Sequence, residues 1–281
     1  MGGNIFKDVA TSINIKDVAP TITAYVDFLG QIFPMKAHSL KYFKPVGSVG
    51  KKAVSGDLDL AIDQSHIIRS FTGPELAKWD IDFDEWYELY QQYEKRARTS
   101  TAEMCKMRAV LTLISKKIDE AGVLVSSSTT PGNIFTCFPQ YSSGPVLNGK
   151  QVQIDWMVGD IEWLEWAYYS NNEKGLKGLH RTQLIVAALA EAGYTFNHYC
   201  GIKKQGTSEW TVTTPEGAVL LLSQEYRTLT MGETFTFEDF NKWLKNSTTD
   251  TTYSAVIKRY KRILRLAKAE VPEILKEFEC Y

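Results

Sequence analysis

Cysteine and histidine are scarce in this sequence of 281 residues, which has four of each. The cysteines lie far apart and form no Cys-X-X-Cys pair, so neither a zinc ribbon nor a disulfide framework is indicated. We expect free thiols in a reducing compartment. The histidines show no spacing typical of a metal site or a catalytic triad, so the sequence gives no support to a hydrolase.

The sequence also lacks a strong net charge and a long apolar run. Lys and Arg number 32 against 33 for Asp and Glu, so no global electrostatic field favours a nucleic-acid or membrane partner. No stretch approaches the roughly 18 apolar residues of a membrane span, and the amino terminus lacks the pattern of a secretory signal. We therefore expect a cytoplasmic protein with no membrane partner; the sequence leaves its oligomeric state open.

Hydrophobic residues make up 44% of the chain, enough for a sizeable core, and their spacing separates helical from extended segments. Apolar residues at helical spacing predict a first helix over residues 22–33. Alternation predicts a strand over 57–63, after an earlier strand at 41–46 and a turn. Helical spacing then returns in two segments, over 79–93 and 102–118.

Strand character resumes after these helices. Alternation predicts strands over residues 123–125, 134–138 and 152–158. The dipeptide Asn148-Gly149 is typical of tight hairpin turns, so we expect a hairpin that leads into the last of these strands.

Beyond Asp160 the pattern is mainly helical, with strands expected near residues 196–202 and 210–213. A terminal helix over 253–268 has one apolar stripe and basic residues elsewhere around it. Those basic side chains could follow an RNA or DNA backbone, although such a helix is more often a solvated surface packed by its stripe. The basic residues are Lys258, Arg259, Lys261, Arg262 and Arg265.

Aspartates stand on the polar side of two of the predicted strands. Because residues two apart in a strand share a face, Asp57 and Asp59 lie side by side, while the apolar residues between them point into the core. By the same alternation, Gln151, Gln153 and Asp155 form the polar set of the later strand. The aspartates therefore mark a polar edge of a sheet whose other face is buried.

Paired carboxylates of this kind predict a divalent metal. Aspartate is disfavoured in strands, and two carboxylates on one face repel each other unless a cation or hydrogen bonds offset the charge. Hard oxygen ligands suit Mg²⁺, which completes its octahedron with waters and substrate phosphate oxygens, so a nucleoside triphosphate is indicated. Asp160 lies close to Asp155 in the sequence and is an alternative third acid.

A glycine and a serine just upstream strengthen the prediction of a nucleotide site. Gly47 allows the backbone to approach a phosphate closely, while Ser48 and the following amides can donate hydrogen bonds to its oxygens. Lys51 and Lys52 add positive charge nearby.

Gly47-Ser48, a gap of eight residues, and then Asp57-Leu-Asp59 resemble the signature of the DNA polymerase beta-like nucleotidyltransferase superfamily. In such enzymes the glycine-serine turn holds the triphosphate and the paired acids bind two magnesium ions. A third acid on a neighbouring strand helps to bind the catalytic metal and to activate the attacking hydroxyl, and Asp155 is the matching position here.

The resemblance covers about residues 41–160 and implies an α+β fold: a nucleotidyltransferase core with a mixed or antiparallel sheet and flanking helices. We expect a catalytic domain over residues 1–160, with an N-terminal helix and a helical insertion at about 75–120. Residues 161–281 are expected to form a mainly helical C-terminal domain of the kind that often follows this core.

The function that the resemblance implies is transfer of a nucleoside monophosphate from a triphosphate to an acceptor hydroxyl, with release of pyrophosphate. ATP is the expected nucleotide and an RNA 3′ end, such as that of tRNA, the expected acceptor. Asp57, Asp59 and Asp155 are the expected catalytic residues and ligands of two Mg²⁺ ions, which Mn²⁺ could replace.

Basic residues further along the chain extend this predicted nucleotide site. Lys174, Lys177 and Arg181 lie in a Lys-Gly-Leu-Lys-Gly-Leu-His-Arg stretch that opens an expected helix, where amides and cations could meet phosphate. Lys177 is the preferred candidate. The same pattern fits a solvated helix start equally well, and we expect His180 to be structural.

Two other functions stay open at this point. Relatives of this core also transfer a nucleotide to a protein or small molecule, or make a signalling oligonucleotide. The acidic stretch at residues 80–88 favours that class slightly. The third class is a non-catalytic nucleotide-binding module with the same fold, against which the intact acids argue.

Overall fold

The computed structural model describes residues 5–34, 40–98, 100–126, 132–142, 146–170 and 178–275. The chain divides into two compact units, Gly2–Ile161 and Glu162–Tyr281. Each unit has its own cluster of buried hydrophobic side chains, so each is described by itself.

Strands of the first unit form a mixed five-stranded sheet and a short two-stranded ladder. They are β1 (Ile13–Asn14), β2 (Phe43–Pro45), β3 (Val54–Ser55), β4 (Leu58–Asp63), β5 (Leu124–Val125), β6 (Asn133–Ser142) and β7 (Val146–Gly159). The larger sheet has the order β2-β4-β7-β6-β5, in which β4 and β7 are parallel and the other neighbours are antiparallel. β1 pairs with β3. The predicted α+β class with a mixed sheet and flanking helices is confirmed at this level.

Helices flank this sheet. They are α1 (Ile15–Ile32), α2 (Gln64–Ile67), α3 (Gly73–Leu76), α4 (Phe83–Arg96) and α5 (Ala102–Glu120). The next helix, α6 (Ile161–Ala167), begins at the last residue of this unit and otherwise belongs to the second unit. α4 begins where the Asp82 carboxylate accepts hydrogen bonds from the amides of Asp84 and Glu85, as expected of an N-cap. α1 begins at Ile15, earlier than the apolar spacing predicted.

The core of the first unit lies between α1 and the apolar face of the sheet. Leu58, Leu60 and Ile62 of β4 are fully buried, so the alternation correctly predicted which side of this strand faces the core. Trp156 Nε1 of β7 donates a hydrogen bond to the Tyr25 hydroxyl of α1 (2.8 Å), which ties the helix to the centre of the sheet.

The polar side of the sheet is covered as well. Gln153 and Asp155 are 1% and 4% exposed, and Met157 on the same side of β7 is buried. The segment before β1 lies beside β7 at Gln151, ahead of the first residue of β7 that pairs with β4. There the Thr11 amide donates a hydrogen bond to the Gln151 carbonyl (2.8 Å). The carboxylates therefore lie in a largely desolvated environment.

The predicted hairpin turn at Asn148-Gly149 was wrong. Ser142 pairs with Val146, so the chain has already reversed before Asn148-Gly149, which lies within β7 beside a shift in register. Gly149 has φ +76° and the Lys150 amide donates to Asn148 Oδ1 (3.0 Å). A bulge needs the same left-handed glycine as a tight turn, so the dipeptide alone does not distinguish the two.

Helices dominate the second unit: α7 (Gly178–Glu191), α8 (Pro215–Glu225), α9 (Phe237–Ser247) and α10 (Asp250–Leu266). The predicted stripe of α10 is confirmed for Val256, Ile257, Tyr260 and Leu264, which are buried, whereas its other two members, Ile263 and Ala267, are only partly buried.

The strand expected over residues 196–202 is a hairpin, of β8 (Tyr194–Asn197) and β9 (Gly201–Lys204). Asn197 Oδ1 accepts hydrogen bonds from the amides of Tyr199 (2.7 Å) and Cys200 (3.0 Å), and these bonds close the turn. The strand expected at 210–213 reduces to a bridge between Val212 and Ile202.

Among the described residues, no helix is both long and apolar enough to cross a membrane. Cys105, Cys137 and Cys200 are free thiols, as the sequence predicted, and Cys280 lies outside the described residues.

Candidate metal centre and phosphate-binding turn

Three carboxylates meet where β4 and β7 run side by side. Asp59 of β4 stands directly opposite Asp155 of β7 in the parallel register, and Asp57 immediately precedes β4 on the same side. One ligand oxygen from each of the three lies within 4.8 Å of the others. The structure thus brings together the three acids that the sequence singled out.

Asp160 is separate from this group. It follows the last residue of β7 and is exposed, whereas Asp57 and Asp155 are buried and Asp59 is partly buried. Position along β7 explains why Asp155 joins the group and Asp160 does not. Asp155 lies opposite Asp59 on the same face of the sheet, while Asp160 lies beyond the last residue that pairs with β4.

Burial and mutual repulsion make the charged forms of these acids unfavourable. Burial, with the charges of Asp57 and Asp155, raises the pKa of Asp59 well above its usual range. Burial, reinforced by Asp57, raises the pKa of Asp155 to about 7 despite a hydrogen bond from Gln153. The arrangement therefore favours either bound protons or a bound cation.

The chemistry of the donor set fits a hard divalent cation. Carboxylate oxygens are the ligands that Mg²⁺ and Mn²⁺ prefer, and a positive ion between the three groups would offset the repulsion that helps to raise the pKa values of Asp59 and Asp155. Asp57, Asp59 and Asp155 are the residues that would hold it.

A tight turn packs directly against these acids. Val46 and Val49 are buried and anchor the turn, while Gly47 and Gly50 have φ values of +65° and +68°. The Val46 amide donates to the Asp59 carbonyl (3.0 Å), which fixes the turn to the start of β4.

Gly47 packs tightly against Asp59. A Cβ atom built on Gly47 would lie 2.9 Å from Asp59 Oδ2, closer than such an atom can approach without displacing the carboxylate. Its left-handed φ and this close approach both require glycine. The same test at Gly50 finds open space, so only Gly47 of the two is constrained by the acids.

Backbone donors of this turn are available to a ligand. Within the described residues, neither the Gly47 nor the Ser48 amide donates a hydrogen bond to the chain, whereas the Ser48 carbonyl accepts from the Ser55 hydroxyl (3.3 Å) and the Lys51 amide (3.1 Å). Lys51 and Lys52 follow the turn and are partly exposed. Successive amides beside a cation site suit an anion with several oxygens.

Arg181, predicted to bind phosphate, is 2% exposed in α7 of the second unit. Its Nε donates to the Thr234 carbonyl and its Nη1 to the Trp166 carbonyl, and its guanidinium lies over the Trp166 ring (4.8 Å). Burial lowers its pKa to about 9. Lys174 and Lys177, from the same predicted group, lie outside the described residues.

His180, which the sequence also singled out, belongs to the core of the second unit. Its Nδ1 lies 2.8 Å from the Tyr260 hydroxyl of α10, which agrees with the structural role expected for it. Trp163 and Trp166 are buried in the hydrophobic cluster of the same unit.

Sequence reasoning missed the role of one neighbour of the acids. Gln153 Nε2 donates to Asp155 Oδ1 (2.8 Å), in addition to sharing its face of β7. The alternation had placed Gln153 among the polar residues of the strand, but the contact itself depends on side-chain geometry.

Two comparisons with known proteins found no match. No family model matches the chain, and no curated protein matches it.

Proposed function

We propose that this chain is a metal-dependent nucleotidyltransferase of the polymerase beta-like type. The observation that carries the proposal is the contact between the two parts of the site. A glycine-serine turn with available amides packs so closely on Asp59 that Gly47 has no room for a side chain. A phosphate-binding turn beside a carboxylate cation site suits a nucleoside triphosphate with its divalent ion.

The residues have distinct roles in this proposal. The amides of Gly47 and Ser48 hold phosphate oxygens, and Lys51 adds positive charge. Asp57, Asp59 and Asp155 are the residues that would hold up to two Mg²⁺ ions, and the bound ions would supply positive charge that stabilises displacement at the alpha phosphorus.

The orientation of Asp155 completes the arrangement. Its Oδ1 accepts the hydrogen bond from Gln153, which leaves Oδ2 for the ion or for the proton of the acceptor hydroxyl. In this proposal, positioning of the nucleotide and the acceptor together with electrostatic stabilisation provides most of the rate enhancement. The products are the nucleotidylated acceptor and pyrophosphate.

The proposed nucleotide is ATP and the proposed acceptor is an RNA 3′ end. Exposed Lys258, Arg262 and Arg265 of α10 support the acceptor assignment, because cationic side chains can neutralise RNA phosphates. A cytoplasmic location is part of the proposal and agrees with the free thiols of the described residues.

Incubation with each α-labelled nucleoside triphosphate, Mg²⁺ and bulk tRNA tests this function. A reaction without RNA and the Asp57→Ala, Asp59→Ala double variant are the controls. We expect label on RNA with the intact chain alone. Label in protein or in a small product would replace RNA by another acceptor, and absence of pyrophosphate release in every reaction would contradict nucleotidyl transfer.

A further inference from the structure

Gln153 is almost completely buried beside the acids, yet it carries no charge and is not a candidate metal ligand. It is 1% exposed and lies two residues before Asp155 on the same face of β7. A buried amide side chain needs hydrogen-bond partners, because an unsatisfied one costs free energy on folding. Its partners therefore indicate why a polar residue occupies this position.

Both ends of the Gln153 amide have a defined partner. The Ile5 amide donates to Oε1 (3.1 Å), and Nε2 donates to Asp155 Oδ1 (2.8 Å). A backbone N–H can only donate and a carboxylate can only accept, so the two contacts fix which end of the amide faces which neighbour. Rotation of the amide by half a turn would place donor against donor and oxygen against oxygen.

The N-terminal segment is tied to the same strand in other places. Ala10 bridges to Gln151, and the Thr11 amide and hydroxyl both donate to the Gln151 carbonyl (2.8 and 3.2 Å). Phe6 is buried, whereas the Ile5 side chain is 44% exposed. Ile5 therefore contributes its backbone donor to this region more than its side chain.

We propose that Gln153 is a positioning residue for the metal site: the N-terminal segment orients its amide through Ile5, and the amide in turn holds the Asp155 carboxylate in the geometry that binds a divalent cation. This inference rests on the proposed function, because it assigns a role toward the cation of that same site. Hydrogen bonds to ligating carboxylates commonly control ligand orientation and metal affinity.

Binding of Mn²⁺ to the full chain without nucleotide tests this role independently of activity. The loss of the free Mn²⁺ electron paramagnetic resonance signal gives the Kd. Gln153→Met keeps the length of the side chain and removes its hydrogen bonds, so we expect the Kd to rise about 10-fold or more. Gln151→Met is the matched control on the same face of β7, since the Gln151 side chain contacts Cys137 Sγ (3.1 Å); its Kd should stay within about 2-fold of the unmodified chain.

A second pair of variants tests the link to the N-terminal segment. Ile5→Pro removes the amide hydrogen, whereas Ile5→Ala retains it and changes only an exposed side chain. We expect Ile5→Pro to raise the Kd for Mn²⁺ about 2- to 10-fold and Ile5→Ala to leave it unchanged.

The outcomes separate this inference from the proposed function. Equal Kd values for the unmodified chain, Gln153→Met and Ile5→Pro would overturn the positioning role and leave the metal site in place. Absence of Mn²⁺ binding by the unmodified chain would overturn the metal site itself. A melting temperature for each variant, measured without Mn²⁺, shows whether a raised Kd comes from the site or from a loss of folded protein; only the first supports the role.

Discussion

Both units of this protein bury charged groups, and they do so in opposite ways. In the helical unit, Arg181 is buried against neutral acceptors, because the carbonyls of Trp166 and Thr234 take its hydrogen bonds. In the sheet unit, Asp59 and Asp155 are placed side by side, so like charges gather in one desolvated place. The fold provides acceptors for Nε and Nη1 of Arg181 and leaves Nη2 without a hydrogen-bond partner among the described residues, whereas it opposes the charges of the carboxylate cluster.

The pKa values express this difference. Burial lowers the pKa of Arg181 to about 9, which still leaves it charged at neutral pH. Burial and neighbouring carboxylates raise the pKa of Asp59 well above its usual range and that of Asp155 to about 7. A buried charge with dedicated protein acceptors has a structural role, whereas a buried cluster of like charges indicates a ligand of opposite charge.

The largest expected effect comes from removing one charge of the cluster. Asp59→Asn should lower the rate of nucleotidyl transfer by on the order of 10³-fold, because the site loses a metal ligand. The same variant should raise the melting temperature without divalent cations, because it removes repulsion between buried carboxylates. Initial rates and thermal unfolding measure the two effects.

Asp63→Asn is the matched control for this variant. Asp63 ends β4 on the same face as Asp59, and its carboxylate accepts from the Ser65 amide (2.7 Å) as the N-cap of α2, a role that asparagine can also fill. Its rate and melting temperature should match the unmodified chain. A comparable loss of rate in Asp63→Asn would show that the effect of Asp59→Asn is not specific to the cluster.

Removal of the Arg181 charge should affect the stability of the fold rather than nucleotide binding. Arg181→Met leaves the Trp166 and Thr234 carbonyls without their donors, so the free energy of unfolding should fall by about 2–4 kcal/mol. Denaturant titration measures the fall, and steady-state kinetics should give an unchanged KM for the triphosphate. A raised KM with unchanged stability would instead support the phosphate-binding role that the sequence predicted.

Gly47→Ala should disturb the contact between the turn and the acids. The new Cβ would meet Asp59 Oδ2, so we expect the KM for the triphosphate to rise about 10- to 100-fold. Gly50→Ala introduces the same left-handed backbone strain, but its new Cβ meets open space. Comparison of the two variants therefore separates the contact with Asp59 from the backbone strain. Equal kinetic losses in the two variants would show that strain alone is responsible.

The smallest expected effect is a dependence of stability on pH. Asp155 has a pKa of about 7 in the folded chain and an ordinary, lower pKa when unfolded. The folded state therefore binds more protons between these values, and stability falls as pH rises through that interval. Without divalent cations, the free energy of unfolding should fall by roughly 2 kcal/mol from about pH 5 to about pH 8.

Asp155→Asn tests the origin of this dependence. The variant should lose the part of the fall in stability that Asp155 contributes, since its amide does not titrate in this range, whereas the raised pKa of Asp59 leaves a remainder. Urea titrations across the pH range measure it. A fall of the same size in Asp155→Asn would assign the dependence to other groups.

Local sequence patterns were sufficient for the two faces of β4 and for most of the apolar stripe of α10. Alternation predicted that Leu58 and Leu60 face the core and that Asp57 and Asp59 share the other side, because strand parity is a local property. The apolar stripe of α10 was predicted in the same way.

Features that depend on distant parts of the chain could not be predicted. The sequence contains no local sign that Trp166 and Thr234 carbonyls converge on Arg181, so a basic residue near a helix start suggested phosphate binding. Asn148-Gly149 suggested a hairpin because a bulge requires the same backbone conformation. The contact of Gln153 with Ile5 joins residues 148 positions apart, and alternation supplies only the face.

The central claim is that a divalent cation offsets the buried carboxylates, and thermal unfolding with and without Mn²⁺ at about pH 8 tests it most directly. At about 100 times the Kd, Mn²⁺ should raise the melting temperature of the intact chain by about 5–10 °C. The Asp59→Asn variant should start from a higher melting temperature and gain much less. An intact chain that gains nothing from Mn²⁺, or an Asp59→Asn variant that gains as much as the intact chain, would contradict the claim.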